Sequence, residues 1–161
     1  MELISKDELA KLCSEQGIKR RIVRELRYVP SEMTKPEARD FLVVMNKSGT
    51  EGVLIYEGRV VSFERAPRRA NSIGRVEAII CDICATWQRG SNSASVSFHT
   101  QAGSITHLIC GDFDCSLHVR DLTEAAKLSR TQLREHADPE HRIARLRDKL
   151  RHIIETVTLS R

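Results

Sequence analysis

Long apolar runs are absent from this 161-residue chain. No stretch approaches the roughly 20 apolar residues that a membrane-spanning helix needs. The opening segment MELISKDELAKLC places acids and lysines where a secretory leader would carry a basic start and an apolar core. The expectation is a cytoplasmic protein with no membrane partner. Aromatic residues are scarce, 4% with a single tryptophan, and the four prolines and eight glycines never gather into a linker. There is no internal repeat and no low-complexity segment, so neither a solenoid nor a disordered tail is expected. No P-loop, GxSxG, HExxH or supported carboxylate pair occurs, and nothing in the chain asks for an enzymatic reading.

What is there is a mildly basic balance, net charge +4 and pI about 8.9, with 40% apolar and 30% charged residues. This permits contact with RNA, a ribosome or an acidic protein surface without requiring any of them. The basic stretches are residues 19–27, 65–75 and 142–151. Each also reads as a solvated face or linker.

Ser5 and Glu8 form a capping box, Ile4 and Leu9 stand at the positions of a hydrophobic staple, and Gly17 is a helix stop. Ile18, Ile22, Val23 and Leu26 recur at helical spacing and predict a short second helix with a basic outer face. From Phe41 the period changes to strands, FLVVM, GVLIYE and RVVSFE, with Glu57-Gly58 as a tight turn between the last two. RAPRRANSIGR reads as a connection. Strands recur in VEAIICDIC, SASVSFHT and SITHLIC, the last two joined through Gln101-Ala102-Gly103. Two helices follow, LTEAAKLSRTQLREH and one opening at Asp138 (N-cap) and Pro139. In the second, Ile143, Leu146, Leu150, Ile153 and Val157 form an apolar stripe opposed by Arg142, Arg145, Arg147, Lys149 and Arg151. The predicted class is α+β: an N-terminal α+β unit, 1–72, and a second domain, 73–161, with C-terminal helices.

Five cysteines in a reducing compartment argue for metal ligation or catalysis over disulfides. Cys81 and Cys84 are spaced C-x2-C, Cys110 and Cys115 C-x4-C, and Cys13 stands apart. Two pairs supply the four tetrahedral ligands of a structural zinc site, with a knuckle between strands first and a helix start near Cys115 last. Asp112 or Asp114 is placed to cap that helix, and Arg89 and Arg120 to offset the sulfur charge. The aspartates are poor ligands beside four soft sulfurs. Two other readings stay open: a redox C-x-x-C, although strand-like sequence follows it, and a Cys-His nucleophile using His99, His107 or His118. His107 and His118 are also alternative ligands. A closed four-sulfur site leaves no position for substrate or an activated water, so its metal would serve folding.

CDICATWQRGS followed by HLICGDFDCSLHVR resembles the C-terminal treble-clef zinc finger of the bacterial elongation-factor-G-binding family, which includes the fusidic-acid-resistance proteins. The likeness rests on the leading C-x2-C, the strand between the pairs, and the closing C-x4-C with its Ser-Leu and Arg, and covers about residues 73–161. It implies Zn2+ on Cys81, Cys84, Cys110 and Cys115, and docking on elongation factor G, on or off the ribosome, with modulation of its release and fusidic acid resistance as extensions. The first 70 or so residues differ from the larger helical bundle of the resistance proteins. Trp87, Arg89 and His118 are the candidate partner contacts, since aromatics and arginines dominate interfaces. The alternative expectation is a basic zinc-finger protein that binds RNA or the ribosome through its cationic stretches.

Overall fold

The computed structural model describes residues 4–133 and 137–159. The elements run α1 (Lys6–Glu15), α2 (Arg20–Glu25), β1 (Leu26–Arg27), β2 (Leu42–Asn46), β3 (Glu51–Tyr56), β4 (Arg59–Pro67), β5 (Ile79–Ile80), β6 (Trp87–Gln88), β7 (Ser93–Thr100), β8 (Gly103–Cys110), α3 (Cys115–His118), α4 (Glu124–Leu133) and α5 (Pro139–Leu159). The fold is α+β. One sheet has the order β1-β2-β3-β4-β7-β8, and β5 pairs with β6 in a second. By compactness the chain forms two units, Met1–Arg65 with Ser97–Ile105 and Ile153–Arg161, and Ala66–Val96 with Thr106–His152. Both are therefore discontinuous: the tips of β7 and β8 and the end of α5 count with the first unit.

In the first unit α1 starts as its sequence dictates. Ser5 Oγ accepts the Glu8 N–H at 3.2 Å, and Glu8 Oε2 accepts the Ser5 N–H at 2.6 Å. Two donors that a helix start leaves unpaired are satisfied reciprocally. The helix ends in a Schellman motif: Gly17 has φ +70°, its N–H reaches Ser14 O, and the Ile18 N–H reaches Cys13 O at 2.9 Å. The second helix is shorter than its spacing predicted. Leu26 turns extended and pairs with Asn46 as part of β1.

Leu9, Cys13 and Ile22 from the helices and Ile18 from the link between them meet Leu42, Val44, Val53, Ile55 and Val60 from the strands in one buried cluster. Alternation along β2 sends Leu42 and Val44 to the same face, as a period of two requires. The β3–β4 turn is Glu57-Gly58 with φ +48° and +72°, the left-handed pair of a type I′ hairpin. The Gln16 side chain clamps it, donating to Gly58 O and accepting the Val60 N–H at 2.6 and 2.7 Å. Phe63 and Phe98 pack edge to face with centroids 5.9 Å apart.

In the second unit the connection after Pro67 is ordered by Asn71, whose Oδ1 accepts the N–H groups of Ile73 and Arg75. Arg68 donates to Glu77 O at 2.6 Å and so is not a free solvated cation. This connection presses on Gly90, where a Cβ would stand 1.9 Å from Val76 O. Gly90→Ala is accordingly expected to destabilise the protein by about 1–3 kcal/mol, read as a lower midpoint in urea unfolding. An unchanged midpoint would show that the two backbones do not meet.

Thr123 Oγ1 caps α4 by accepting the Ala126 N–H at 3.1 Å, and Asp138 Oδ1 caps α5 by accepting the His141 N–H at 2.8 Å. The last three residues expected in the first of these helices, Arg134, Glu135 and His136, lie outside the described residues. Along α5, Leu146, Leu150, Ile153 and Val157 are buried, as the stripe predicted. Arg142 corrects that reading, because it is 4% exposed. It sits one turn before Leu146 on the buried face and donates to Val119 O, to Ala137 O and to the Asp121 carboxylate.

Candidate metal centre

The first cysteine pair lies on a knuckle between β5 and β6. The Ala85 N–H returns to Cys81 O at 2.8 Å and the Cys81 N–H goes to Thr86 O at 3.0 Å, folding the four-residue turn so that both sulfurs point inward. Ala85 takes φ +54° to close it, a left-handed position that costs a non-glycine residue about 1–2 kcal/mol. The second pair ends β8 and starts α3. Asp82 joins the two halves: its N–H donates to Leu108 O at 2.9 Å and its carboxylate accepts the Leu108 N–H at 2.7 Å, latching the knuckle to β8 two residues before Cys110.

Cys81, Cys84, Cys110 and Cys115 are at most 1% exposed, and their four sulfurs lie within 4.8 Å of one another. Cys81 Sγ stands 3.7 Å from Cys115 Sγ, and Cys84 Sγ 3.6 Å from Cys110 Sγ. A tetrahedron with Zn–S near 2.3 Å has edges of about 3.8 Å, so the donor set fits Zn2+ in number, softness and spacing. None of the four is disulfide-bonded, and Cys13 lies apart in the first unit's core.

Of the two aspartates expected at the start of α3, the structure selects Asp112. Asp114 occupies the N-cap position of α3 but makes no side-chain cap. Asp112 supplies the carboxylate instead, accepting the Asp114 N–H at 2.9 Å and the Asn92 side-chain amide at 2.7 Å. A helix start leaves its N–H groups unpaired, and here the side chain two residues earlier reaches one of them. Arg120 turns to Ser116 O at 2.8 Å, and Arg89 is exposed. His118 is 1% exposed, with Nδ1 3.4 Å from Cys110 Sγ and 3.3 Å from Gln88 Nε2, and Nε2 3.6 Å from Asp112. Its ring therefore faces the sulfurs and not solvent. Burial pushes its pKa down, but hydrogen bonding to the Cys84 sulfur and the negative charge of Cys84, Asp112 and Asp114 raise it overall. A proton held on this ring would lessen the surplus negative charge of four thiolates on one dication.

Gln88, Asn92 and Asp82 are the supporting residues that spacing did not reveal. They come from the knuckle, from β6 and from the segment before β7, and no local pattern marks a side chain that acts only across the fold. Trp87 is half-buried on β6, His99 sits on β7 paired with Glu64, and His107 lies 3.5 Å from Asp82.

The thiols share protons unequally before metal arrives. Burial opposes ionisation of Cys84, yet hydrogen bonds from Cys110, Cys115, Cys81 and His118 bring it well below the ordinary thiol value. A bond from Cys115 favours the Cys110 thiolate, but its bonds toward Cys81 and Cys84 and its burial push that thiol well up. Bonds toward Cys110, Cys81 and Cys84, then burial, do the same for Cys115. Metal ligation requires thiolates, so at neutral pH at least these two protons must leave, and affinity falls as pH falls. Zinc affinity in competition with a chromophoric chelator is expected to drop at least about 100-fold from pH 7.5 to 6.5, one factor of ten per displaced proton. A flat response would contradict the assignment of protons.

The family model of the FBP C-terminal treble-clef zinc-finger matches residues 4–157. The chain belongs to that family. The match begins well before residue 73, so the helices and strands of the first 70 residues are part of the FBP C-terminal region and not an unrelated addition. No curated protein and no solved structure matches the chain. The treble clef of the family consists here of the knuckle at Cys81–Cys84, β7 and β8, and α3, with α4 and α5 following.

Proposed function

We propose that this FBP-type protein is a non-enzymatic, zinc-stabilised binding module for elongation factor G, acting in the cytoplasm and on or near the ribosome. The observation that carries the reading is the paired motif CDIC and CGDFDCSLHVR, whose arrangement resembles that of the elongation-factor-G-binding finger. A closed set of four buried sulfurs supports a metal that holds a surface in shape, since no coordination position is left for a substrate. Among the described residues no helix is long and apolar enough to cross a membrane. Trp87 and Arg89, both on or beside β6, are the candidate contacts on the surface.

The direct test is retention of purified elongation factor G by the immobilised, zinc-loaded protein. Retention at micromolar concentration is expected, and its absence would refute the reading. Modulated release and fusidic acid resistance would extend the proposal and need ribosome-bound factor as the substrate of the assay. A second reading, RNA binding, draws on the exposed Lys19 before α2, Arg20 and Arg24 on it, and Arg69 and Arg75. Phosphate contacts weaken steeply with salt because counterions are released on binding, whereas an apolar protein interface is far less sensitive. A flat salt response between 50 and about 200 mM would remove it.

A further inference from the structure

Beside the metal centre, in the second unit, β6 and α4 enclose an open groove of about 520 Å3. Its walls include Trp87, Arg89, Glu124, Lys127, Leu128 and Thr131. The volume lies within the roughly 300–1,000 Å3 of ligand-holding clefts, and Trp87, Ala125 and Leu128 give it an apolar part among polar neighbours. Trp87 N–H donates to Ser129 Oγ at 2.9 Å, which fixes β6 against α4.

The charges select the occupant. Lys127 donates to Glu124 at 2.6 Å, so these two compensate each other. Arg89 is exposed and makes no ion pair among the described residues, which leaves one uncompensated cation in the groove beside Trp87 and Leu128. A nucleic-acid strand asks for a track of cations along successive phosphates. One guanidinium beside an indole and a leucine asks for one carboxylate beside one large apolar side chain. Arginine pairs with carboxylates through two parallel hydrogen bonds, and Trp and Arg are the residues most enriched at binding hot spots.

We propose that this groove receives a short segment of the protein partner that presents a carboxylate side chain to Arg89 and, next to it, an apolar side chain to Trp87 and Leu128. The proposal rests on the reading that the finger docks on a protein, and gives that docking a place and a chemistry. The groove is also tied to the metal. Gln88, next to Trp87 on β6, holds its side chain 3.3 Å from His118, whose ring touches the Cys110 sulfur. Metal removal should therefore dismantle the groove along with the site.

Trp87 is the protein's single tryptophan, so its fluorescence reports occupancy of the groove directly. The zinc-loaded protein is titrated with a blocked peptide alternating glutamate and phenylalanine, with its lysine-for-glutamate counterpart, and with oligouridylate. The acidic peptide is expected to change the emission saturably and the lysine peptide not to. Arg89→Glu should weaken the acidic peptide by about tenfold or more and admit the lysine peptide, while Lys149→Glu, an equal charge change on α5, should do neither. Zinc content confirms the fold of each variant.

Retention of elongation factor G runs alongside. If the factor is retained equally by wild type and Arg89→Glu, the groove is overturned and the factor reading stands. If the factor is not retained but the peptides show the charge reversal, the groove stands and the factor reading falls. Emission that responds to oligouridylate and not to the acidic peptide overturns the groove in favour of nucleic acid, and silence toward every probe overturns it outright.

Discussion

Cys115→Ser is expected to lose zinc and to unfold the second unit. Cys115 is fully buried at the start of α3, 3.7 Å from the Cys81 sulfur, and it alone ties α3 to the knuckle through the metal. A structural zinc contributes on the order of 10–16 kcal/mol of apparent free energy in small fingers, whereas a domain's net stability is only about 5–15 kcal/mol. Losing even half of the former exceeds what a small unit with few aromatics can spare. The measurements are metal content per chain and Trp87 emission, since the indole sits half-buried on β6 and should shift to the red on exposure. Chelation of the wild type should reproduce both changes. Cys13→Ser is the control: Cys13 lies in the first unit's core, where burial pushes its thiol pKa up, and it should keep its zinc. Stoichiometric zinc and unchanged emission in Cys115→Ser would contradict the four-sulfur site.

Asp121→Asn should cost about 2–3 kcal/mol, the second largest effect. The Asp121 carboxylate receives the buried Arg142 from α5 and Arg130 Nε from α4 at 3.0 Å. Removing the charge leaves the Arg142 guanidinium, 4% exposed, with neutral acceptors alone, the Val119 and Ala137 carbonyls and the amide oxygen of the new asparagine. An uncompensated buried cation is costly because the interior screens it poorly. Asparagine is the cleaner probe because Asp121 has φ +57°, a conformation asparagine tolerates well, so the loss reports the ion pair and not backbone strain. Urea unfolding followed by circular dichroism would show a lower midpoint with an unchanged slope. A change below half a kcal/mol would mean that neutral acceptors suffice to hold Arg142.

Local chemistry was legible in the chain. The Ser5–Glu8 box, the Gly17 stop, the Glu57-Gly58 turn, the β7–β8 hairpin and the Asp138 cap each depend on residues within a few positions of one another. The four cysteines were legible for a different reason: sulfur spacing is a strong pattern, and few chemistries use two such pairs. What failed to show depends on distant partners. Arg142 looks like any other arginine of a basic face until Asp121 is brought to it, and His118 looks like a surface candidate until α3 turns it toward Cys110. The groove beside Trp87 needs α4, some 40 residues away in sequence, to exist at all. The exchange of the β7 and β8 tips and the end of α5 into the first unit is likewise a matter of packing that periodicity does not encode.

X-ray absorption at the zinc edge of the purified protein tests the central claim most directly. The account predicts four sulfur scatterers at about 2.3 Å and no nitrogen or oxygen in the coordination shell. Three sulfurs with one nitrogen or oxygen at about 2.0–2.2 Å would instead make a ligand of His118 or Asp112, both placed beside Cys110, and would contradict it.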